Sequence, residues 1–304
     1  MRIQRFFPIA VVGIWIAVTA TSVWAQGPIE ISAETEASSS ASTAAQPASA
    51  PDQEALEKAR KAAQNPIASM ISLPFQENWN FGIGPADRTQ NVFNLQPVIP
   101  LKLGPHLNLI TRWVTPILYQ PYAIPQPSGP AIQTGAYGFG DIQPQFYFSP
   151  NTGSKVTWGL GPIFQLPTGT PYRYMSQGKF AIGPTLVALA QPSRWTIGVL
   201  ANNLWSVAGH KDAQDVNQFL IEPFINFNLK RAWYLSFSPN ITANWEKDTG
   251  RWVVPLGGGP GRVWRIGQQA VNIQTFFYGN VVHPAGASPW TFKMTFTLLF
   301  PKPR

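Results

Sequence analysis

The feature that most constrains this chain is an alternation of apolar and polar residues that recurs through most of its length. From Phe93 to Leu103 the odd positions hold apolar side chains and one proline, while Asn94, Gln96 and Lys102 fall on even positions. The same alternation recurs over 142–148, 219–229 and 233–245. Because successive side chains of a β-strand point to opposite faces, a period of two predicts strands with one apolar and one polar face.

Short turn signals separate pairs of these strands at intervals of roughly 40 residues, about the length of one hairpin. They are Gly104-Pro105, Pro150-Asn151-Thr152-Gly153, Pro192-Ser193, Lys230-Arg231 and Gly267-Gln268. Longer polar or proline-rich stretches lie between them, at 84–88, 121–137, 168–178, 207–217, 246–251 and 280–289. We place the six longer loops on one side of the sheet, and the five short turns and both chain ends on the other. This arrangement predicts about twelve antiparallel strands.

Aromatic residues mark both ends of the apolar series, which distinguishes a membrane wall from the core of a soluble sandwich. Trp158, Trp195, Trp233, Trp264 and Phe300 lie near the turns, and Tyr119, Trp205, Trp245, Trp252 and Trp290 lie near the loops. Amphipathic rings collect where an apolar band meets water. After residue 25 no apolar run is long enough to cross a bilayer as a helix. The sequence therefore predicts an all-β fold, a transmembrane antiparallel β-barrel of about twelve strands in a bacterial outer membrane.

Two features conflict with a regular barrel wall. Prolines fall inside predicted strands, and each removes a hydrogen-bond donor from the sheet, so we expect bulges or bends at these positions. They are Pro97, Pro144, Pro162, Pro184, Pro223, Pro239 and Pro255. Glu77 falls on the apolar series of its strand. It is expected either to lie above the hydrocarbon or to mark a bulge.

The first 64 residues have a different composition. Arg2 and Arg5 precede an apolar stretch, and small residues occupy the cleavage positions that end at Ala25. This pattern is typical of an export signal that is cleaved after residue 25. A membrane anchor is the alternative. Residues 26–64 are rich in Ala, Ser, Glu and Gln and are predicted to form a flexible periplasmic tether, leaving 65–304 as the barrel. Within the tether, 52–63 holds helix formers, and both a short surface helix and disorder are open interpretations.

Residues suited to catalysis or metal binding are few. The chain has no cysteine, which excludes thiol catalysis and Cys-based metal sites. His106, His210 and His283 fall in turns or loops, with no Ser spaced to share a strand face with them. The close group of His210, Asp212 and Asp215 matches no defined metal site. We therefore expect no enzyme activity, no cofactor and no metal, and an exported chain is not expected to bind nucleic acid despite its net charge of +8.

Charged and amide side chains on the polar series are the candidate functional residues, and they are expected to line the lumen. They are Arg112, Asp141, Glu222, Lys293, Asn94, Gln96, Gln143, Gln145, Asn226 and Asn240. If the four charges lie in water at mid-height, the barrel is a passive channel or transporter for small solutes, with Arg112 and Lys293 favouring anions. If they pair with one another, the lumen is closed and an envelope-structural or adhesion role follows. A lipid-modifying enzyme of the outer membrane is a third alternative.

Several segments resemble a known family of proteins. They are NPIASMISLPFQENWNFGIGP (65–85), NLITRW (108–113), GFGDIQPQFYFSP (138–150), WGLGPIFQLPT (158–168), GKFAIGPT (178–185) and TFTLLFP (295–301). They are similar to bacterial outer-membrane barrels often labelled after the peptide neuromedin U, which are related to transporters attributed to phenol meta-cleavage pathways. The resemblance spans about 65–301 and implies the fold and the location alone. The expected partners are outer-membrane lipid, the barrel-assembly machinery and an unidentified small solute.

Overall fold

The computed structural model describes residues 50–68, 70–126, 130–151 and 153–300. The helices are α1 (Ala50–Ala63) and α2 (Tyr172–Met175). The strands are β1 (Ile71–Ile83), β2 (Arg88–Leu95), β3 (Val98–Lys102), β4 (Leu107–Ile124), β5 (Ile132–Phe139), β6 (Gln143–Pro150), β7 (Val156–Gln165), β8 (Lys179–Ala190), β9 (Trp195–Gly209), β10 (Asn217–Asn228), β11 (Trp233–Phe237), β12 (Ile241–Asn244), β13 (Trp252–Ile266), β14 (Gln269–Val282) and β15 (Trp290–Phe300).

These strands form one antiparallel sheet that closes on itself. The last strand pairs with the first, from Ile71 opposite Phe300 to Phe81 opposite Trp290. Three full-height segments of the wall each consist of two shorter strands in line, namely β2 with β3, β5 with β6, and β11 with β12. The 15 strands therefore make twelve full-height segments, here called staves. The predicted fold class and strand number are confirmed.

The connections also follow the sequence pattern. Short turns join the staves at one end of the barrel, here called the turn end, at 103–106, 151–155, 191–194, 229–232 and 267–268. The longer connections lie at the other end, the loop end, and the predicted stretch 121–137 is partly strand because β4 runs to Ile124 and β5 begins at Ile132. In the part of the chain that the structure describes, no helix is long and apolar enough to cross a membrane.

Three of the prolines interrupt the wall, as expected. Leu95 ends β2 and Val98 begins β3 on either side of Pro97, and Pro239 separates β11 from β12. At Pro255 the register between β13 and β14 shifts. A proline cannot donate to a neighbouring strand, so the ladder breaks where its nitrogen faces that neighbour.

The other four prolines stay in regular register, so the expected bulges there are wrong. Pro162 lies opposite Pro184, Pro144 opposite Trp113, and Pro223 opposite Val199. For three of them, the strand is unpaired at the proline with its second neighbouring strand, so the missing donor leaves no hydrogen bond unmade there. β7 pairs with β6 at only two positions, the pairing of β8 with β9 omits Pro184, and the pairing of β10 with β12 ends before Pro223.

The outer face of the barrel is apolar and exposed, which is the reverse of a soluble protein. Leu160, Leu235 and Phe277 are each more than half exposed. The aromatic rows lie on the same face, with Trp195 42% exposed near the turns and Trp290 51% exposed near the loops. Polar residues such as Gln145, Asn226 and Thr297 are buried on the inner face. An apolar outer wall with aromatic residues at both edges is the surface that lipid requires.

Glu77 lies on this outer face. The pairing of β1 with β15 is regular from Ile71 to Phe81, and the register shift in β1 comes later, between Asn80 and Ile83. A bulge at Glu77 is therefore wrong, and the carboxyl lies between Phe93 and Met294. Its Oε1 atom is buried without a hydrogen-bond partner among the described residues. A carboxyl group with apolar neighbours is costly to keep charged.

Helix α1 occupies residues that the sequence assigned to the flexible tether. It covers the possible helix at 52–63 and packs against the turn end of the barrel, where Ala59 is buried with Ala232, Val263 and Leu299. The predicted signal peptide 1–25 and the first part of the tether, 26–49, lie outside the described residues.

Candidate functional site

The inner wall of the barrel surrounds three cavities with volumes of about 160, 400 and 430 Å³. Nine of the ten predicted residues line them: Arg112, Glu222, Lys293, Asn94, Gln96, Gln143, Gln145, Asn226 and Asn240. The smallest cavity lies towards the turn end, beside Gln64 and Pro66. The two larger cavities reach the loop end, where Arg251 borders one and Ser288 the other. The lumen is therefore a polar space within an apolar wall.

The three lumenal charges lie where the smallest cavity meets the two larger ones. Arg112 and Glu222 line both the 160 Å³ and the 400 Å³ cavity, and Lys293 lines both the 160 Å³ and the 430 Å³ cavity. Any path along the lumen passes this boundary. Two basic side chains and one acidic side chain therefore face this boundary.

Ser238 holds two of these charges in place, next to the interruption at Pro239. Its hydroxyl donates to Glu222 Oε1 at 2.5 Å. Its carbonyl oxygen accepts from Lys293 Nζ at 3.3 Å and from the Tyr278 hydroxyl at 2.7 Å. Since the wall is broken beside it, this carbonyl is available to side chains from β14 and β15.

Lys293 has aromatic neighbours rather than an acidic one. Its Nζ atom lies 4.3 Å from the centre of the Phe276 ring and 5.3 Å from that of Tyr278. The side chain is 7% exposed. Ring faces and a carbonyl dipole stabilise an ammonium group without neutralising its charge. In the described part of the chain, Lys293 therefore borders two cavities without a carboxylate in ion-pair contact.

Arg112 also lacks an acidic partner. It donates from Nη2 to Gln96 Oε1 at 2.6 Å, across the interruption at Pro97. Within the described ranges the ion pairs shorter than 4 Å are Glu57 with Arg60 and Lys179 with Asp215, and both lie outside this set. The lumenal charges are therefore not the self-paired cluster that a sealed interior would need.

Amide side chains continue the polar surface towards the loop end. Gln143 donates to Gln165 at 3.0 Å, Gln165 to Gln177 at 3.0 Å, and Gln177 to Gln218 at 3.4 Å. Gln177 belongs to the loop between β7 and β8, so its part in this chain of amides was not predictable from strand parity. Amides offer both donors and acceptors, which suits a surface that solutes pass over rather than a tight binding site.

Asp141 is the exception among the predicted residues, and its placement at mid-height beside the other charges is wrong. It lies between β5 and β6, where its Oδ1 accepts from the backbone N–H of Gly169 at 3.0 Å and its Oδ2 from that of Gln177 at 2.7 Å. The carboxylate fastens the loop that carries α2. Strand parity did not place it correctly because the stave is interrupted just before β6.

The possible metal cluster is not brought together either. Asp215 lies 3.0 Å from Lys179 Nζ, and this hydrogen bond holds the pKa of Asp215 below its ordinary value. His210 instead contacts the Tyr172 ring, with centroids 4.5 Å apart. Among residues 50–68, 70–126, 130–151 and 153–300, no group of three or more His, Cys, Asp and Glu could hold a metal ion.

The turn end of the lumen is closed by residues 50–67, here called the plug. Gln64 donates to Asn228 Oδ1 at 2.8 Å and accepts from the Thr196 hydroxyl at 2.7 Å, with all three side chains buried. Arg60 donates to the Leu229 carbonyl at 2.9 Å. These bonds fix the plug to staves far away in the sequence.

Ile67 completes the closure. It is 4% exposed and belongs to one apolar cluster with inward side chains of six strands. Those side chains are Val98, Ile110, Tyr147, Val187, Leu189, Leu200 and Phe224. This contact was not predictable from the sequence, because a single Ile after a polar tether gives no indication of where it packs.

A closed antiparallel wall, apolar outside and polar inside, defines the chain as a β-barrel of the outer-membrane type. No protein-family model and no curated protein matches it. Among solved structures it is similar to an outer-membrane channel from Pseudomonas putida F1, with a TM-score of 0.56 and 10% identity over 76% of this chain and 94% of that one.

Two other solved barrels give lower scores. The NanC porin has a TM-score of 0.47 and 9% identity, over 76% of this chain and all of that one. The outer membrane phospholipase A from Escherichia coli has a TM-score of 0.40 and 13% identity, over 76% of this chain and 96% of that one. The similarity to the Pseudomonas putida F1 structure confirms the barrel fold that the sequence predicts.

Proposed function

We propose that this protein is a passive channel of the bacterial outer membrane for small polar solutes, and that its lumen favours anions. The observation that carries the proposal is the boundary between the cavities, where Arg112 and Lys293 face a single carboxylate, Glu222, and neither cation has an acidic partner within 4 Å in the described part of the chain. A fixed positive charge in a confined aqueous path attracts anions and repels cations.

The plug supports a gated channel in preference to a permanently open pore. With Gln64 and Ile67 bound as described, the lumen is closed at the turn end. Conduction then requires residues 50–67 to leave their contacts. The closure also favours the second candidate, an envelope-structural barrel that never conducts, so the two functions are separated by whether current flows at all.

Ion selectivity in planar lipid bilayers tests the proposal. The mature protein is expected to give discrete currents, and its reversal potential in a salt gradient should show anion preference. Arg112→Gln should lower the anion-to-cation permeability ratio by about twofold or more, because it removes a fixed charge from the narrow part of the path. Folding should persist, since the loss of one charge-assisted hydrogen bond to Gln96 costs about 1.5–3 kcal/mol.

The matched control is Lys155→Gln, which removes a cation from a turn outside the lumen. It should leave selectivity unchanged. Absence of current from protein that is folded, heat-modifiable and freed of its plug would reject the channel and favour the structural barrel. An open pore whose selectivity does not change in Arg112→Gln would reject the role of that residue.

A further inference from the structure

We propose that the outer wall at the turn end has a binding site for the phosphate group of an anionic phospholipid, centred on Arg262. This residue lies on β13, opposite Trp233 of β11 and Ile273 of β14. Trp233 is 42% exposed and belongs to the aromatic row near the turns. The residues on either side of Arg262 point inwards, where Gly261 contacts the Tyr234 ring and Val263 packs beneath α1. Arg262 therefore lies on the lipid-facing side.

An aromatic ring holds the guanidinium group of Arg262 in place, but no carboxylate of the described residues forms an ion pair with it. Its central carbon lies 5.1 Å from the centre of the Trp233 ring, a cation–π contact that fixes its orientation. Its Nε is buried and has no hydrogen-bond partner among the described residues. The ion pairs found in those ranges do not include Arg262. An arginine presents five donors in a planar fork that matches phosphate oxygens, and here part of that fork is unused.

Along the strand, Arg262 lies opposite Trp233, within the aromatic row near the turns. Trp264, the next outward residue on β13, lies two residues nearer the turn and belongs to the same aromatic row. Arg262 is thus roughly 7 Å further into the membrane along the strand. A cation at this depth, beside lipid rather than bulk water, requires an anion or a path to the headgroups. A phospholipid phosphate is the anion that the long Arg262 side chain can reach from that depth.

The charges around the turn end select an anionic lipid. Six further basic residues occupy the turns or the strand ends beside them: Lys102, Lys155, Arg194, Lys230, Arg231 and Arg265. The five turn segments contain no Asp or Glu. The loop end differs, because Asp87, Asp212, Asp215, Glu246 and Asp248 are interspersed with its basic residues. The acidic residues at this end belong to α1, where Glu57 pairs with Arg60. Basic residues in turns that lack acids concentrate anionic headgroups in the leaflet that they face.

The apolar neighbours distinguish a lipid from a soluble phosphate or an anionic polymer. Leu235, the next outward residue of β11 towards the membrane centre, is 53% exposed. A phosphate bound at Arg262 would leave its acyl chains along this surface. A polymer in the periplasm could reach the turns but could not reach a residue on the membrane side of Trp264.

Native mass spectrometry of the detergent-purified full protein tests the site, with phosphatidylglycerol and phosphatidylethanolamine as probes. Phosphatidylglycerol should bind preferentially, and Arg262→Gln should weaken that binding about tenfold, the loss of one charge-assisted contact. Arg262→Lys, which keeps the charge but loses the fork, should fall between the two. Arg173→Gln, at an exposed position of α2 in a loop, is the matched control and should bind as the parent does.

Each result has a defined meaning once heat-modifiability shows that the variant is folded. Equal binding of both lipids by the parent would overturn the selection of an anionic lipid. Binding that Arg262→Gln leaves unchanged would overturn the site. Displacement of the lipid by millimolar inorganic phosphate would show a general phosphate site and would also overturn the proposal. The test does not depend on conductance, so its failure would leave the proposed channel unaffected.

Discussion

At the scale of single residues, Lys293 shows how an interruption in the wall creates a functional environment. Strand parity predicts that it points inwards, and its side chain lines two of the cavities. Parity cannot predict that the Ser238 carbonyl becomes available beside Pro239, nor that Phe276 and Tyr278 surround the ammonium. The residue type and its face are local properties of the sequence. Its partners lie 15 to 55 residues away in the sequence and depend on how the staves close.

Glu77 gives a prediction about stability. Its carboxyl faces outwards between Phe93 and Met294, with Oε1 buried and lacking a partner in the described part of the chain. Glu77→Gln should raise the free energy of unfolding by about 1 kcal/mol, because a neutral amide is less costly than a carboxylate beside lipid. Equilibrium denaturation in lipid vesicles measures the change.

The control is Glu54→Gln on the exposed side of α1, which should leave stability unchanged. A fall in stability for Glu77→Gln would contradict the argument and would show that a neighbour such as Asn91 stabilises the charged form.

At the scale of elements, the plug is the part that the sequence predicted least well. The segment 52–63 has helix formers, and Leu56, Ala59 and Ala63 recur at helical spacing. That pattern is compatible with a surface helix, and its small side chains give no sign of burial. Its location depends on Gln64, whose amide bonds Asn228 and Thr196 more than 130 residues later in the chain. Such contacts exist only once the barrel has closed.

Weakening the plug should increase conduction. Ile67→Asp places a carboxylate in the apolar cluster that Ile67 completes, at a cost of several kcal/mol to the docked state. The barrel wall keeps all its strands, so channels should form and should spend a larger fraction of time open. Single-channel recording measures that fraction.

Lys58→Gln, on the exposed side of α1, is the matched control and should gate as the parent does. Limited proteolysis reports whether the plug has undocked. An undocked plug with an unchanged open fraction would show that residues 50–67 do not limit conduction.

At the scale of the whole molecule, alternation, turn spacing and two aromatic rows were enough to predict the closed barrel. These signals succeed because every second residue of a strand faces lipid and most of those residues, with exceptions such as Glu77 and Arg262, are apolar. The position of a lumenal residue along the barrel axis was less predictable where a stave consists of two shorter strands. Asp141 lies beside the break between β5 and β6, and parity alone misplaced it.

Orientation in the membrane is a further prediction. In bacterial barrels the short turns lie on the periplasmic side and the longer loops outside the cell. An epitope inserted after Asp212, in the loop between β9 and β10, should be reachable by antibody on intact cells. The same epitope after Ser193, in the turn between β8 and β9, should be reached only after the outer membrane is permeabilised. The reverse labelling would show that the barrel is inserted the other way.

The plug also bears on the mechanics of the barrel. Residues 50–67 contact β9 and β10 through Gln64, β13 and β15 through Ala59, and β3, β4, β6 and β8 through Ile67. A segment that contacts strands around the whole barrel resists deformation of the barrel cross-section at the turn end. Undocking it would remove this resistance as well as the obstruction. We therefore expect the conducting barrel to be the softer one, more easily flattened by lateral pressure in the bilayer, and to melt at a lower temperature than the closed form.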